Sequence, residues 1–226
     1  MISRKNIPNL LTVLRLVLAA VFFGVLAFYR YDTGVAWLLI PATALFIAAA
    51  ATDALDGYYA RRWDVVSKFG RIMDPFCDKV LVLGALVFLA GPGFAASGLS
   101  YPIGGPQVHL SQASGVYPWM VVVMLARELL VTGIRGELEG SGHKFGANVW
   151  GKLKMILQSV VVPAVLVIVY IMESNRNDRS TLVILGMIQI VLVYATVIVT
   201  ILSGLPYVVG AVKISRADAD SGADDH

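Results

Sequence analysis

The chain has 226 residues, of which 58% are hydrophobic and 15% are charged, and Lys and Arg exceed Asp and Glu by three. Its mean hydropathy of +0.75 excludes an ordinary water-soluble enzyme and leaves no room for a separate soluble domain. We therefore expect an integral membrane protein of one domain, in contact with membrane lipids and with no nucleic-acid partner.

Apolar residues form six stretches, each long enough to predict a transmembrane helix. The expected fold class is all-α: a polytopic membrane protein with six transmembrane helices around a cytoplasm-facing polar cavity. The predicted membrane domain covers residues 1–213, and residues 214–226 are expected to form a disordered acidic cytoplasmic tail. The stretches lie near residues 10–29, 34–57, 69–90, 117–139, 151–172 and 182–205.

The basic residues predict the orientation of these helices. With the N-terminus in the cytoplasm, only Arg30, Arg176 and Arg179 fall on the outer side, out of 18 Lys and Arg residues. Because cytoplasmic loops carry the excess of positive charge, both termini are predicted to lie inside. The longest connection, 91–116, is rich in Gly, Ser and Pro and contains no Lys, Arg, Asp or Glu, so we expect an irregular or interfacial external loop there.

Four carboxylates stand out in this apolar sequence: Asp53, Asp56, Asp74 and Asp78. The first two are three residues apart and the last two are four apart, so each pair lies on one face of a helix. Four acids gathered in a medium of low dielectric constant repel one another unless cations neutralise them. Oxygen-only ligands suit Mg²⁺ or Mn²⁺, and we predict a metal site of two ions.

The third and fourth stretches reach membrane length only if their charged residues lie at membrane depth. The purely apolar run after Asp78, residues 80–90, is about half of what a span needs. With the predicted topology, Arg127, Glu128 and Arg135 come late in the fourth helix, and Lys152 and Lys154 come early in the fifth. These clusters therefore fall in the cytoplasmic half of the membrane, where they should line the polar cavity.

Metals beside cationic side chains suit the binding of phosphates and phosphoryl-type transfer. Three small residues lie on or beside the helix faces that carry the acids: Gly57, Ala60 and Gly70. Their small size would let a nucleotide or pyrophosphate approach the backbone closely. One carboxylate of such a site can act as a general base. Asp78 is the best placed candidate, although spacing alone does not rank it above Asp74.

Eight residues at fixed spacing resemble the signature of the CDP-alcohol phosphotransferases, and all eight positions match. The resemblance implies six membrane helices, usually in homodimers, and displacement of CMP from a CDP-linked lipid by an alcohol. It implies that Asp53, Asp56, Asp74 and Asp78 hold two divalent metals, and that Asp78 deprotonates the incoming hydroxyl. The CDP-binding residues that it implies are Asn9, Thr12, Asp56, Gly57, Ala60, Arg61 and Gly70. The signature reads Asp53-x-x-Asp56-Gly57-x-x-Ala60-Arg61, then Gly70-x-x-x-Asp74-x-x-x-Asp78.

A second set of residues is similar to the bacterial phosphatidylglycerophosphate synthases. That likeness implies CDP-diacylglycerol and glycerol 3-phosphate as substrates, phosphatidylglycerophosphate and CMP as products, and an active site facing the cytoplasm from the bacterial inner membrane. The residues expected to bind the acceptor phosphate are Arg127, Arg135, Lys152 and Lys154. The matching segments are Pro8-Asn9-x-x-Thr12-x-x-Arg15, Arg127-Glu128 with Arg135, and Gly151-Lys152-x-Lys154-x-x-x-Gln158.

Two alternatives stay open from the sequence. The same chemistry could serve another acceptor, namely inositol phosphate, serine or phosphatidylglycerol. A divalent-cation transporter could also use the acidic cluster, although the outer halves of the helices, such as 80–90 and 160–171, are almost wholly apolar.

Overall fold

The computed structural model describes residues 7–63, 68–102, 107–140 and 149–223. Six α-helices account for most of these residues, which confirms the all-α class expected for a membrane protein. Two short 3₁₀ helices, Ala36–Leu38 and Pro92–Phe94, lie in the connections after the first and third helices. The α-helices are α1 (Ile7–Phe28), α2 (Leu39–Trp63), α3 (Lys68–Leu89), α4 (Pro118–Gly140), α5 (Val149–Ser174) and α6 (Arg179–Ala223).

Four segments within the described residues are long and apolar enough to cross a membrane. They are Leu10–Phe28, Ala36–Asp53, Val149–Ser174 and Arg179–Val212. In α3 the apolar part is shorter, Lys79–Leu89. The count of six membrane spans therefore stays a prediction, and it depends on whether α3 and α4 cross the membrane together with their charged residues.

The connection between α3 and α4 is more regular than the sequence suggested. Strands β1 (Ala95–Pro102) and β2 (Gln107–Gln112) pair antiparallel, with Leu99 opposite Leu110. An irregular conformation is therefore wrong for residues 95–102 and 107–112, whereas an interfacial position of the connection stays a prediction. Pairing the strands satisfies backbone groups that a loop of this length would otherwise leave to water.

Helix α6 continues to Ala223, well past the predicted end of the membrane domain at residue 213. Residues 214–223 belong to this helix, whereas the sequence predicted a disordered tail from residue 214. Residues 224–226 lie outside the described part, and the division into a membrane domain and a tail stays a prediction. The segment 211–220 contains no Gly or Pro, and its Ala, Lys and Arg residues favour helix continuation. The tail was expected to be disordered because its composition is acidic. The helix continues there because the local residues have a high helix propensity.

Aromatic rings join α1 to its two neighbours. The ring of Phe22 lies 5.6 Å from that of Phe46 on α2, and Phe23 stacks on Phe88 of α3 at 5.5 Å. A Cβ atom at Gly84 would come within 2.5 Å of the Phe23 ring, so the glycine makes room for this contact. Helix α1 is thereby packed between α2 and α3.

The C-terminal ends of α1 and α5 are joined by polar contacts around one carboxylate. Glu173, whose side chain is only 3% exposed, accepts hydrogen bonds from the Tyr29 hydroxyl at 2.6 Å and the Asp32 backbone N–H at 2.9 Å. Arg176 pairs with both Glu173 and Asp32. Because both helices bring their C-termini to this contact, α1 and α5 run in the same direction, as alternating transmembrane helices require.

We expect Tyr29→Phe to lower the stability of the folded protein by about 2 kcal/mol, because it removes a hydrogen bond to a buried charged group. Burial and the Glu173 carboxylate both raise the pKa of Tyr29. The phenol therefore keeps its proton throughout the neutral range, and its contribution should decline only above the ordinary tyrosine pKa of about 10.

Thermal unfolding in detergent measures this effect, with the exposed Tyr194→Phe as a matched control. The difference between wild type and Tyr29→Phe should be constant from about pH 6 to pH 9. Equal melting temperatures for Tyr29→Phe and Tyr194→Phe would contradict the role assigned to the contact.

Candidate active site

The first acidic pair of the sequence signature lies on α2, where Asp53 contacts a buried arginine of α1. The Arg15 Nη1 and Asp53 Oδ1 atoms are 2.6 Å apart. The Arg15 side chain is 1% exposed and that of Asp53 is 45% exposed. An arginine that is always charged needs such a partner among apolar helices, and the half-exposed carboxylate keeps one side open to a ligand.

The remaining acids lie on the helices that the sequence predicted. Asp56 belongs to α2, Asp74 and Asp78 belong to α3, and these two helices contact each other. The side chains of these three residues lie outside the described part of the structure, and among the side chains inside it no three His, Cys, Asp or Glu residues are grouped to hold a metal. The helical placement of both pairs is therefore observed, whereas their convergence on metals stays a prediction.

Six predicted CDP-site residues have a described backbone but differ in what is known of their side chains. Thr12 is buried on α1. The side chains of the other five lie outside the described residues, so their roles stay predictions. These five are Asn9, Gly57, Ala60, Arg61 and Gly70.

A second polar cluster is centred on Glu128 of α4, which is buried. Its Oε1 atom accepts a hydrogen bond from Arg127 Nη1 at 2.9 Å and also pairs with Lys154 Nζ of α5. Two of the four cations predicted to bind the acceptor phosphate are thus brought together by one carboxylate. Among the described side chains, this cluster brings two cations to one carboxylate.

The Glu128 cluster is connected to the helix that carries Asp78. Lys79, the next residue on α3, donates to the Thr132 hydroxyl at 2.6 Å. Thr132 in turn donates to the backbone carbonyl of Glu128 at 2.7 Å. This contact places a third cation between the acidic helix α3 and the basic helix α4.

Helix α6 supplies polar groups to the same region. Arg127 Nη2 donates to the Ser203 carbonyl at 3.2 Å, and Gln158 of α5 donates to the buried Thr200 hydroxyl at 3.3 Å. The apolar stretch of α6, residues 182–205, carries no charged residue. Its hydroxyl and carbonyl groups nevertheless hold α4 and α5 in place at the polar end of the bundle.

The other two predicted acceptor-binding cations lie at exposed positions. Arg135 is one turn beyond Thr132 towards the end of α4, and Lys152 lies in the first turn of α5. The structure therefore brings Arg127 and Lys154 together and leaves Arg135 and Lys152 towards the rim of the same end. Their contact with a phosphate stays a prediction.

The Arg15–Asp53 contact joins the early half of α1 to the late half of α2. Lys154, which is early in α5, pairs with Glu128 near the middle of α4. These polar side chains therefore lie between the middle of the bundle and the end opposite the Glu173 contact. This agrees with the predicted grouping of charges in one half of the membrane.

Comparison with known proteins identifies the family. A family model for CDP-alcohol phosphatidyltransferase matches residues 5–202, which is most of the chain. The chain belongs to the CDP-alcohol phosphatidyltransferase family. This matched region contains the whole acidic signature and the Glu128 cluster, and it confirms the family resemblance inferred from the sequence.

Three similar proteins carry the name CDP-diacylglycerol--glycerol-3-phosphate 3-phosphatidyltransferase. The Bacillus subtilis protein is 35% identical over 71% of this chain and 76% of its own length. The Cereibacter sphaeroides protein is 36% identical over 70% of this chain and 61% of its own length. The Escherichia coli protein is 32% identical over 70% of this chain and 74% of its own length. This family member is therefore an enzyme of the phosphatidyltransferase class, in a membrane setting, and the transporter alternative loses its support.

Sequence reasoning missed two partners of the predicted site residues. Arg15 was noted only as part of a motif, and its ion pair with Asp53 joins different helices, so no spacing rule reveals it. Glu128 was likewise noted only as part of a motif, and its contact with Lys154 was not predicted. The signal available in the sequence was the presence of several charged residues in the apolar helices α4 and α5. Such residues are expected to form ion pairs, but the sequence does not show which residues pair with each other.

We expect Glu128→Gln to destabilise this family member by about 3 kcal/mol, because two cations would lose the carboxylate that they share in a buried site. Adding Lys154→Met should recover part of that loss, since the double variant removes one of the two uncompensated charges. Thermal unfolding of the two single variants and the double variant measures the coupling. Additive losses would show that Lys154 and Glu128 do not depend on each other.

Proposed function

We propose that this protein transfers the phosphatidyl group of CDP-diacylglycerol to sn-glycerol 3-phosphate, giving phosphatidylglycerophosphate and CMP. The observation that carries the proposal is the Glu128 cluster, where Arg127 and Lys154 converge next to Lys79, the neighbour of Asp78 in sequence. Three relatives that match 70% or 71% of the chain bear the name of this activity. The cluster supplies positively charged side chains that could bind the phosphate of the acceptor next to the acidic signature.

The proposed acceptor brings about two negative charges at neutral pH. Arg127 and Lys154 offer charge-assisted hydrogen bonds to its phosphate, and the exposed Arg135 and Lys152 extend the positive surface to the rim. Glu128 fixes the position of both inner cations before the acceptor arrives. This preorganisation lowers the cost of ordering two long side chains on binding.

The proposed reaction is a displacement at the β-phosphorus of the CDP-linked lipid. Asp78 takes the proton of the acceptor hydroxyl, whose oxygen forms a new bond to the β-phosphorus. The bond between that phosphorus and the bridging oxygen breaks, and CMP leaves with the electron pair. Asn9, Thr12, Asp56, Gly57, Ala60, Arg61 and Gly70 are proposed to bind the CDP moiety.

The donor set of Asp53, Asp56, Asp74 and Asp78 fits two Mg²⁺ or Mn²⁺ ions, because all four ligands are carboxylates. Such ions would neutralise the negative charge of the pyrophosphate. Arg15 holds one oxygen of Asp53 at 2.6 Å, which orients that carboxylate and leaves its other oxygen for a ligand.

The excess of basic residues at the polar end supports a cytoplasm-facing site in the bacterial inner membrane. A homodimer is proposed from the family resemblance alone, and the domain of residues 1–213 is proposed as the catalytic unit. Inositol phosphate is the nearest alternative acceptor, because the same cations suit any phosphate. Serine and phosphatidylglycerol fit this cluster less well, since serine has no phosphate and phosphatidylglycerol has only one negative charge.

Metal removal tests the proposal. Purified protein should release CMP from CDP-diacylglycerol when glycerol 3-phosphate and Mg²⁺ are present, and EDTA should stop the release. Activity should return when Mg²⁺ or Mn²⁺ is added in excess of the chelator. Undiminished turnover in EDTA would exclude the metal site.

Asp78→Asn should reduce turnover by at least about a hundredfold, because a carboxamide does not accept the hydroxyl proton. Binding of CDP-diacylglycerol should remain detectable by equilibrium titration. The control is Asp178→Asn, an exposed residue that caps α6 at the other end of the bundle and for which Asn is an equally good cap. Retained turnover in Asp78→Asn would remove the proposed general base.

A further inference from the structure

A cavity of about 300 Å³ lies at the end of the bundle opposite the candidate active site. It is formed by the last turn of α1 and by the end of α3 with the turn that follows. Its apolar walls come from Leu26, Val87, Phe88 and Pro92, and one charged side chain, Arg30, lies in its lining. From Arg15 to the end of α1 the helix rises about 20 Å, so this cavity is remote from the polar cluster.

The backbone at the base of the cavity is held by close contacts. The N–H of Tyr31 donates to the Gly93 carbonyl at 2.8 Å. A Cβ atom at Gly93 would lie 2.9 Å from the Tyr29 carbonyl oxygen, which leaves no room for a side chain there. The end of α1 and the turn after α3 are therefore fixed against each other, and the cavity is part of the fold.

Arg30 is oriented by the end of α1. Its Nη1 atom donates to the carbonyls of Ala27 at 3.0 Å and Tyr29 at 2.7 Å, which caps the helix. The side chain is exposed, and in the part of the chain that the structure describes no carboxylate pairs with it. The guanidinium thus keeps a net positive charge beside an apolar cavity, just past the apolar segment Leu10–Phe28.

We propose that this cavity binds one anionic phospholipid from the membrane leaflet opposite the candidate active site, with an acyl chain against Leu26, Val87 and Phe88 and the headgroup phosphate on Arg30. The volume is at the lower end of small-molecule pockets, so it accommodates one chain segment and leaves the rest of the lipid in the bilayer. Among the described residues no carboxylate pairs with Arg30, since nearby Asp32 pairs with Arg176, and the unpaired guanidinium favours a lipid with net negative charge over a zwitterionic one.

Photo-crosslinking tests this site in the full chain reconstituted in nanodiscs. The probe is phosphatidylglycerol with a diazirine near the carbonyl end of one acyl chain, and the modified residues are identified by peptide mass spectrometry. We expect crosslinks in residues 26–30 and 87–93. Arg30→Gln should lower their yield about tenfold through the loss of a charged hydrogen bond. The matched control, Arg179→Gln, removes an exposed arginine outside the cavity and should leave the yield unchanged.

Three further arms separate the possible sources of binding. Val87→Trp fills the cavity and should lower crosslinking while Arg30 is retained. Phosphatidylcholine with the same diazirine should give weak crosslinks at these residues, and inorganic phosphate should not compete. Equal yields for Arg30→Gln and wild type, equal capture of phosphatidylcholine, or displacement by inorganic phosphate would each overturn the proposal. Melting temperatures equal to wild type show that the variants are folded.

Discussion

Arg127 and Lys154 share the carboxylate of Glu128, and the polar end of the bundle depends on this contact. Charged side chains within apolar helices are costly unless they are paired, so each charge in this region restricts where its helix can lie. Glu128 joins α4 to α5, Arg127 joins α4 to α6, and Lys79 joins α3 to α4 through Thr132. The same pairs that satisfy buried charge thereby set the positions of four helices around the candidate site.

Asp53 illustrates how a structural contact can serve a chemical role. A carboxylate that is bound by a buried arginine is held in one orientation, which is what the metal ligand that we propose would need. Its 45% exposure is far above the 1% of Arg15, so the pair lies with the arginine inside and the carboxylate towards open space. In the Arg15–Asp53 pair and in the Glu128 cluster, a buried partner thus fixes a group that we propose to contact a charged ligand.

The sequence predicted the helical elements well because hydrophobic stretches and helical spacing are local signals. The acids were placed three and four residues apart on helices, and the structure has α2 and α3 at those positions. The pairs Arg15–Asp53 and Lys154–Glu128 could not be predicted, because each joins residues that are distant in sequence. The β1–β2 hairpin and the helical continuation of α6 to Ala223 were missed for a different reason. Composition suggested a loop and a disordered tail, whereas strand pairing and helix propensity decided the outcome.

The two ends of the bundle differ in how they use charge. At the polar end, cations are paired with a carboxylate in the interior. At the other end, Glu173 is enclosed by Tyr29 and Arg176, whereas Arg30 faces an apolar cavity. The polar end therefore suits the anionic acceptor that we propose, and at the other end Arg30 offers a cation beside the apolar cavity.

The central claim is that the cations around Glu128 select a phosphorylated acceptor. The most direct measurement is CMP release from CDP-diacylglycerol by purified protein with Mg²⁺, with glycerol 3-phosphate, inositol phosphate, serine and phosphatidylglycerol offered separately. The account predicts release with glycerol 3-phosphate alone. Release only with serine or phosphatidylglycerol would contradict the role assigned to Arg127, Arg135, Lys152 and Lys154 and would leave the acidic signature as the only part of the site that stands.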